Sequence, residues 1–295
     1  MVAGVGGIAT WFISSYNLAT VASESTNEDC LLQQFERDDL TFGNPPHIKI
    51  ERPALVKQIQ NIFLDETARK YYVIVGETGT GKSSVVQEAV STLKAPKAPK
   101  EKEKSLHPRG VFYFDSPENP KRFSVNLATA LGFRRNEPNI MRVQWDKEPM
   151  ATWSLLEPLL LSNAARFKAK QGRLVLVIDT VDLLAKRDKE FTRELQDFAN
   201  KQADYGNLRV VFVTNEEATL PPMTASSSKE RWEVFEMGDF SDAEAVGYLE
   251  KREVPTGRAA AAVKSVTGGR IVRLDSYALA YARNPPMKDA EYRPV

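Results

Sequence analysis

Tyr71-Tyr72-Val73-Ile74-Val75-Gly76-Glu77-Thr78-Gly79-Thr80-Gly81-Lys82-Ser83-Ser84 is the stretch that decides the fold. Its first five residues are aromatic or aliphatic without alternation, and they end at a glycine. That pattern predicts a strand buried on both faces, as in a parallel sheet, running into a glycine-rich turn. Val85, Val86, Ala89 and Val90 then recur at helical spacing. Between strand and helix, residues 76–83 fit G-x-x-x-x-G-K-[ST] without a mismatch. Each part of the pattern suits a phosphate chain. Glycines let the backbone curl so that successive N–H groups converge on an anion. The helix that follows offers its positive end to the same charge. A lysine at position 82 reaches the β- and γ-phosphates, and the Ser83 hydroxyl ligates Mg²⁺. Gly76, Glu77, Thr78, Gly79, Thr80, Gly81, Lys82, Ser83 and Ser84 are therefore the candidate contacts to a nucleotide, expected to be ATP with Mg²⁺.

Outward from this loop the chain alternates between the two periodicities. A short extended run, Ile48-Lys49-Ile50, precedes Arg52-Pro53, which opens a helix with Leu55, Ile59, Ile62 and Phe63 on one face. Further strands are expected at 111–114 (ending in Asp115), 174–178 (ending in Asp179) and 208–213 (ending in Thr214-Asn215). A short fifth is expected at 234–237. Helices are expected at 123–131, 153–168 and 191–199. In the second of these, Pro158 sets the expected start a few residues later. Strands and helices in this alternation predict a parallel sheet covered on both faces, a three-layer α/β core. After Phe240 the pattern becomes all-helical. Ser241-Asp242-Ala243-Glu244 reads as a capping box, a helix follows at 259–266, Thr267-Gly268-Gly269 breaks it, and a last helix runs over 270–282. The expected organisation is an N-terminal segment over 1–43, the core over 44–239 and a small helical lid over 240–284, with a tail over 285–295. A solvated insertion, KAPKAPKEKEK, occupies 94–104.

With a phosphate loop in place, an acid is needed at the end of a neighbouring strand for the magnesium shell. Leu174-Val175-Leu176-Val177-Ile178-Asp179 supplies it, with Asp179 acting on the ion through water. Asn215, after the next strand, is placed to reach a γ-phosphate or to orient the attacking water.

The succession of strand, glycine loop, helix, aspartate-ending strand, Thr-Asn-ending strand and helical lid resembles the additional-strand class of P-loop ATPases. Within it, the order is similar to AAA+ proteins and the related signal-transduction ATPases (the NB-ARC and NACHT relatives). The resemblance spans roughly 48–284 and implies ATP binding and Mg²⁺-dependent hydrolysis. It also implies that Arg52 packs by the adenine and that Arg270 or Arg273, in Thr267-Gly268-Gly269-Arg270-Ile271-Val272-Arg273, is a second sensor. The family places an acid directly after the strand-end aspartate to polarise water, and here that position is Thr180. Threonine is no general base at neutral pH. Two expectations follow and both stay open: Asp182 takes the role, or the protein is a nucleotide-dependent switch or scaffold. The resemblance also implies a protein partner or a homo-oligomer, and two readings stand for Arg231: a finger on a neighbouring subunit, or part of a solvated surface run, Lys229-Glu230-Arg231. Guanine is disfavoured, because Asn215-Glu216-Glu217-Ala218 does not supply N-K-x-D. DEAH-type helicases share the loop but need Asp-Glu-x-His, which Asp179-Thr180-Val181-Asp182 is not.

Composition is that of an ordinary globular protein. Of 295 residues, 42% are apolar and 27% charged, with 40 basic against 39 acidic side chains. That balance does not indicate a nucleic-acid partner. A single cysteine, Cys30, and two histidines, His47 and His107, leave no internal disulfide and no Cys/His zinc site. A reducing, intracellular compartment is the natural setting, either cytoplasmic or tethered to an intracellular membrane. The tether would be residues 1–23, which carry no charged side chain. Gly4, Gly6, Gly7, Ser14, Ser15 and Asn17 dilute their apolar content. Three readings stand side by side for them: a loose tail, a single membrane anchor, and a helix docked on the core.

Overall fold

The computed structural model describes residues 51–94, 110–131, 151–215 and 231–283. The expectations for residues 1–23, for Ile48-Lys49-Ile50, for the insertion beyond Lys94 and for the tail lie outside the described residues. Among the described residues, no helix is long and apolar enough to cross a membrane.

Five strands form one sheet: β1 (Tyr71–Val75), β2 (Val111–Asp115), β3 (Leu174–Asp179), β4 (Leu208–Thr214) and β5 (Trp232–Glu236). Every pairing is parallel, and the spatial order is β2-β3-β4-β1-β5. The inner strands β3 and β4 are buried at every residue, which is why they read as largely apolar runs, broken in β4 by the buried Arg209. After β1 the chain crosses to the far edge, lays down β2, and returns through β3 and β4 to lie beside β1. Such a reversal of direction leaves a crevice at the carboxyl ends of the strands, where ligands of open α/β sheets bind.

The helices are α1 (Pro53–Leu64), α2 (Lys82–Lys94), α3 (Phe123–Ala130), α4 (Ala151–Gln171), α5 (Val181–Arg187) and α6 (Lys189–Tyr205), followed by α7 (Asp242–Lys251), α8 (Thr256–Ala262) and α9 (Ile271–Arg283). Alternate strand residues feed opposite faces of the sheet. Tyr71, Val73, Phe112 and Phe114 pack with Phe123, Trp153, Phe191 and Phe198 from α3, α4 and α6. On that face Phe123 meets Phe114 and Phe191 edge-on, each at 5.2 Å between ring centroids. Tyr72, Ile74, Val211 and Val213 pack on the other face with Ile59 and Phe63 of α1 and Val86 and Ala89 of α2. A third apolar cluster belongs to α7–α9, with Phe240, Leu249, Leu274 and Tyr277 at its centre. The three layers and the helical C-terminal part are those expected from the sequence.

Four local expectations are corrected. β5 begins two residues earlier than expected and ends at Glu236. It is an edge strand, so Glu233 and Glu236 can face solvent while Val234 pairs with Val73 of β1. Helix α4 keeps Pro158 in its interior and starts at Ala151. Trp153 before the proline and Leu160 and Ala164 after it are buried in the same cluster. That burial outweighs the roughly 3 kcal/mol an interior proline costs. Helix α5 was not foreseen, because its seven residues are too few to show a helical period. The helix expected at 259–266 begins earlier, at Thr256, and its last turn widens to a π-helical turn at Val263–Thr267. The capping box at Ser241 and Glu244 is present on both sides.

Candidate functional site

The loop between β1 and α2 opens at the carboxyl edge of the sheet, beside the ends of β3 and β4. Gly79 and Gly81 have φ of +85° and +86°, a conformation that L side chains rarely adopt. A side chain at Gly79 would also meet Val272 Cγ2 at 2.5 Å, and one at Gly81 would meet Ile271 Cδ1 at 3.0 Å. The first turn of α9 thus lies directly over the loop, and the Ile271 N–H donates to Gly79 O at 3.3 Å. Thr80 is buried and its hydroxyl donates to Glu77 O at 3.0 Å, which tightens the turn.

Lys82 is buried, and its Nζ donates to Gly76 O and Glu77 O, each at 2.8 Å. Burial pulls its pKa down, against the opposing pull of the Asp179 and Asp182 carboxylates. Asp179 is also buried. It accepts hydrogen bonds from the Tyr113 hydroxyl at 2.5 Å and from the Thr180 N–H at 2.7 Å, and the Ser83 hydroxyl lies near enough to help hold its pKa down. Burial raises its pKa, and these donors partly counter the rise. Tyr113 is held in turn by Gln87 of α2, whose amide donates to the phenol oxygen at 3.0 Å.

Thr180 adopts a left-handed backbone, φ 56° and ψ 34°, rare for a β-branched residue. Its hydroxyl donates to Asp115 Oδ1 at 2.5 Å. Asp115 ends β2 in direct register with Asp179. Asp182, in the first turn of α5, lies on the other side. Its Oδ2 accepts from the Asn215 amide at 3.2 Å, while its Oδ1 is buried with no hydrogen-bond partner among the described residues. The structure therefore brings Lys82, Ser83, Asp179, Asp182 and Asn215 together at one edge of the sheet.

The arginines named from the sequence are held as follows. Arg52 is buried and joins three parts of the molecule. It bonds Glu244 Oε1 of α7 at 3.1 Å, Thr80 O of the loop at 3.3 Å, and the carbonyls of Gly238 and Asp239 at 3.4 and 3.1 Å. Its guanidinium stacks 5.1 Å from the centre of the Phe240 ring. Arg270 is bidentate on Asp239, at 3.0 and 3.1 Å, and pairs with Glu77 of the loop. Of the two residues in that register, Arg270 is the one that touches the loop; Arg273 is exposed one turn further along. Arg231 pairs with Asp204 at 3.2 Å. Thr78 and Ser84 are exposed.

Tyr113, Gln87, Asp115 and Glu244 were missed from the sequence. The available signal was a second strand ending in aspartate, 111–115, but its meaning depends on that strand lying beside β3.

The donor set suits a magnesium nucleotide. The Ser83 hydroxyl and the Asp179 carboxylate are hard oxygen groups placed near one another. Such groups share the ion with substrate phosphates and water. Glycine loop, strand-end aspartate and strand order together define the class, a P-loop ATPase core. A family model for the AAA domain matches residues 65–219, more than half of the 295, and the chain belongs to that family. Among solved structures it is similar to a Walker-type ATPase of Pyrococcus abyssi. That match has 13% identity and a TM-score of 0.56, over 84% of this chain and 72% of that one. It is also similar to the Drosophila ORC bound to DNA, at 16% identity and a TM-score of 0.52, over 87% of this chain and 61% of that one. The chain thus spans less than two thirds of the second relative's length. Comparison with curated proteins finds no match.

Proposed function

We propose that this chain binds Mg²⁺–ATP across residues 76–84 and hydrolyses its terminal phosphoanhydride. The observation that carries this reading is the convergence of the phosphate loop on the end of β3, where the Asp179 carboxylate acts on buried Lys82 and Ser83 lies beside it. Lys82 exchanges the carbonyls of Gly76 and Glu77 for phosphate oxygens, a stronger pairing for a buried ammonium. Ser83, and Asp179 through water, would hold a magnesium ion, which would supply charge neutralisation for the phosphates. Asn215, held by Asp182, is the polar side chain after β4 that would reach the γ-phosphate. Arg52 brackets loop to lid, and Arg270 and Arg273 sit in the lid turn that closes over the nucleotide. The test is phosphate release from ATP by the purified chain. We expect Mg²⁺-dependent release that falls at least about 100-fold in Lys82→Ala. Release that ignores chelation of Mg²⁺ and survives Lys82→Ala would come from something other than this site.

A second reading is favoured by Thr180, which stands where the related ATPases carry an acid. On it, ATP binds without turnover and acts as a switch, changing the contact between α9 and the loop to present a surface to a protein partner or a second copy. Thr180→Glu would then raise turnover. The Arg231–Asp204 pair would have to open for Arg231 to act on a neighbouring subunit.

A further inference from the structure

We propose that Asp115 is the catalytic carboxylate of this site, supplied from β2 in place of the acid absent at residue 180, and that Thr180 positions it. The inference rests on the hydrolytic reading above. Three observations carry it. First, β2 and β3 are parallel neighbours, and Asp115 is the register partner of Asp179, so both strands end in a carboxylate at one level of the crevice. Second, the Thr180 hydroxyl donates to Asp115 Oδ1 at 2.5 Å, which puts an exposed carboxylate within one hydrogen bond of the side chain that replaces the acid. Third, Thr180 is one of two non-glycine residues with positive φ among the described residues, and it is β-branched. That backbone is strained and persists where the surrounding structure holds it. Here it also directs the Thr180 N–H to Asp179 Oδ1, so one strained residue holds both carboxylates.

Asp182 is the competing group. It is buried, with one oxygen taken by the Asn215 amide, and it belongs to the β4 side of Asp179. That arrangement makes it a positioning residue for Asn215. Asp115 is exposed and keeps Oδ2 for water. In the step, a lytic water passes one proton to the Asp115 carboxylate as its oxygen bonds to the γ-phosphorus. The bond from that phosphorus to the β–γ bridging oxygen breaks, its electron pair stays on ADP, and Asp115 then returns the proton to bulk water or to the released phosphate.

The experiment pairs ATP binding by calorimetry with phosphate release, on the full chain and on Asp115→Asn, Asp182→Asn, Thr180→Ser, Thr180→Val and the double variant Asp115→Asn/Thr180→Glu. Asp115→Asn should bind Mg²⁺–ATP within about twofold of the parent while turnover falls about 10²-fold or more, the range for loss of a general base. The double variant should recover most of that loss. Thr180→Val should lower kcat with KM unchanged, and Thr180→Ser should restore it. Asp115 is exposed, so folding is expected to survive, and matching thermal melts confirm it for each variant. Undiminished turnover in Asp115→Asn, or a loss confined to Asp182→Asn, would overturn the assignment. A parent chain that binds ATP without turning it over would overturn it too, whereas one that does not bind ATP defeats the underlying nucleotide reading.

Discussion

Asp179 holds its charge in a nearly dry place, and folding bears the cost. Burial raises its pKa above the ordinary carboxylate value. In the window between its unfolded and folded pKa values, the folded chain holds a proton that the unfolded chain has released. Stability from this residue therefore falls as pH rises through that window. Asp179→Asn keeps the shape and removes the charge. We expect its Tm to match or exceed the parent's at pH 7, with any gain shrinking as pH falls to about 4, while Mg²⁺-dependent turnover is lost. A lower Tm at both pH values would mean that the bonds from Tyr113 and Thr180 outweigh the desolvation. Asp179, Lys82 and Ser83 were legible in the sequence because their meaning is local, in a loop motif and a strand end. Tyr113 and Asp115 were not, because they acquire a role only when β2 lies beside β3.

Elements are tied together here by single side chains. Arg52 precedes α1, yet its partners are the phosphate loop, the β5–α7 connection and the first turn of α7. Removing it leaves the buried Thr80 carbonyl and Glu244 Oε1 without this donor. Arg52→Ala should cost about 2–3 kcal/mol in denaturant melts. Arg52→Lys should recover little, because an ammonium cannot reproduce the planar fork. A cost under about 0.5 kcal/mol, the level of a surface pair, would contradict the bracket. Element boundaries were readable where an apolar run is unbroken, as in β1 and β3, whereas α6 runs six residues past its expected end at Ala199. They shifted where the tertiary setting decides, as at the edge strand β5 and at Pro158 in α4. The role of Arg52 as a bracket was not readable, because Glu244 and Asp239 lie almost two hundred residues further along the chain.

At the scale of the whole molecule, the alternation of strands and helices implied the parallel sheet, and the loss of strands after Phe240 implied the lid. The order β2-β3-β4-β1-β5 then explains why the chemistry gathers in one place. Residues from five separate stretches, at 52, 76–84, 115, 179–182 and 215, reach the carboxyl edge of one sheet, and the turn before α9 closes over them. What the sequence pattern could not reveal was how tightly the lid is applied, with Ile271 and Val272 in contact with the loop glycines and Arg270 paired to Glu77. All of this presupposes that the loop takes a nucleotide. The most direct measurement is calorimetric titration of the full chain with ATP in the presence of Mg²⁺, with Lys82→Ala titrated alongside. Saturable binding near one nucleotide per chain, weakened at least about tenfold in Lys82→Ala by loss of a charge-assisted contact, is the expected result. Absence of binding to the parent chain, or equal binding by both proteins, would contradict the assignment of residues 76–84 as a nucleotide site.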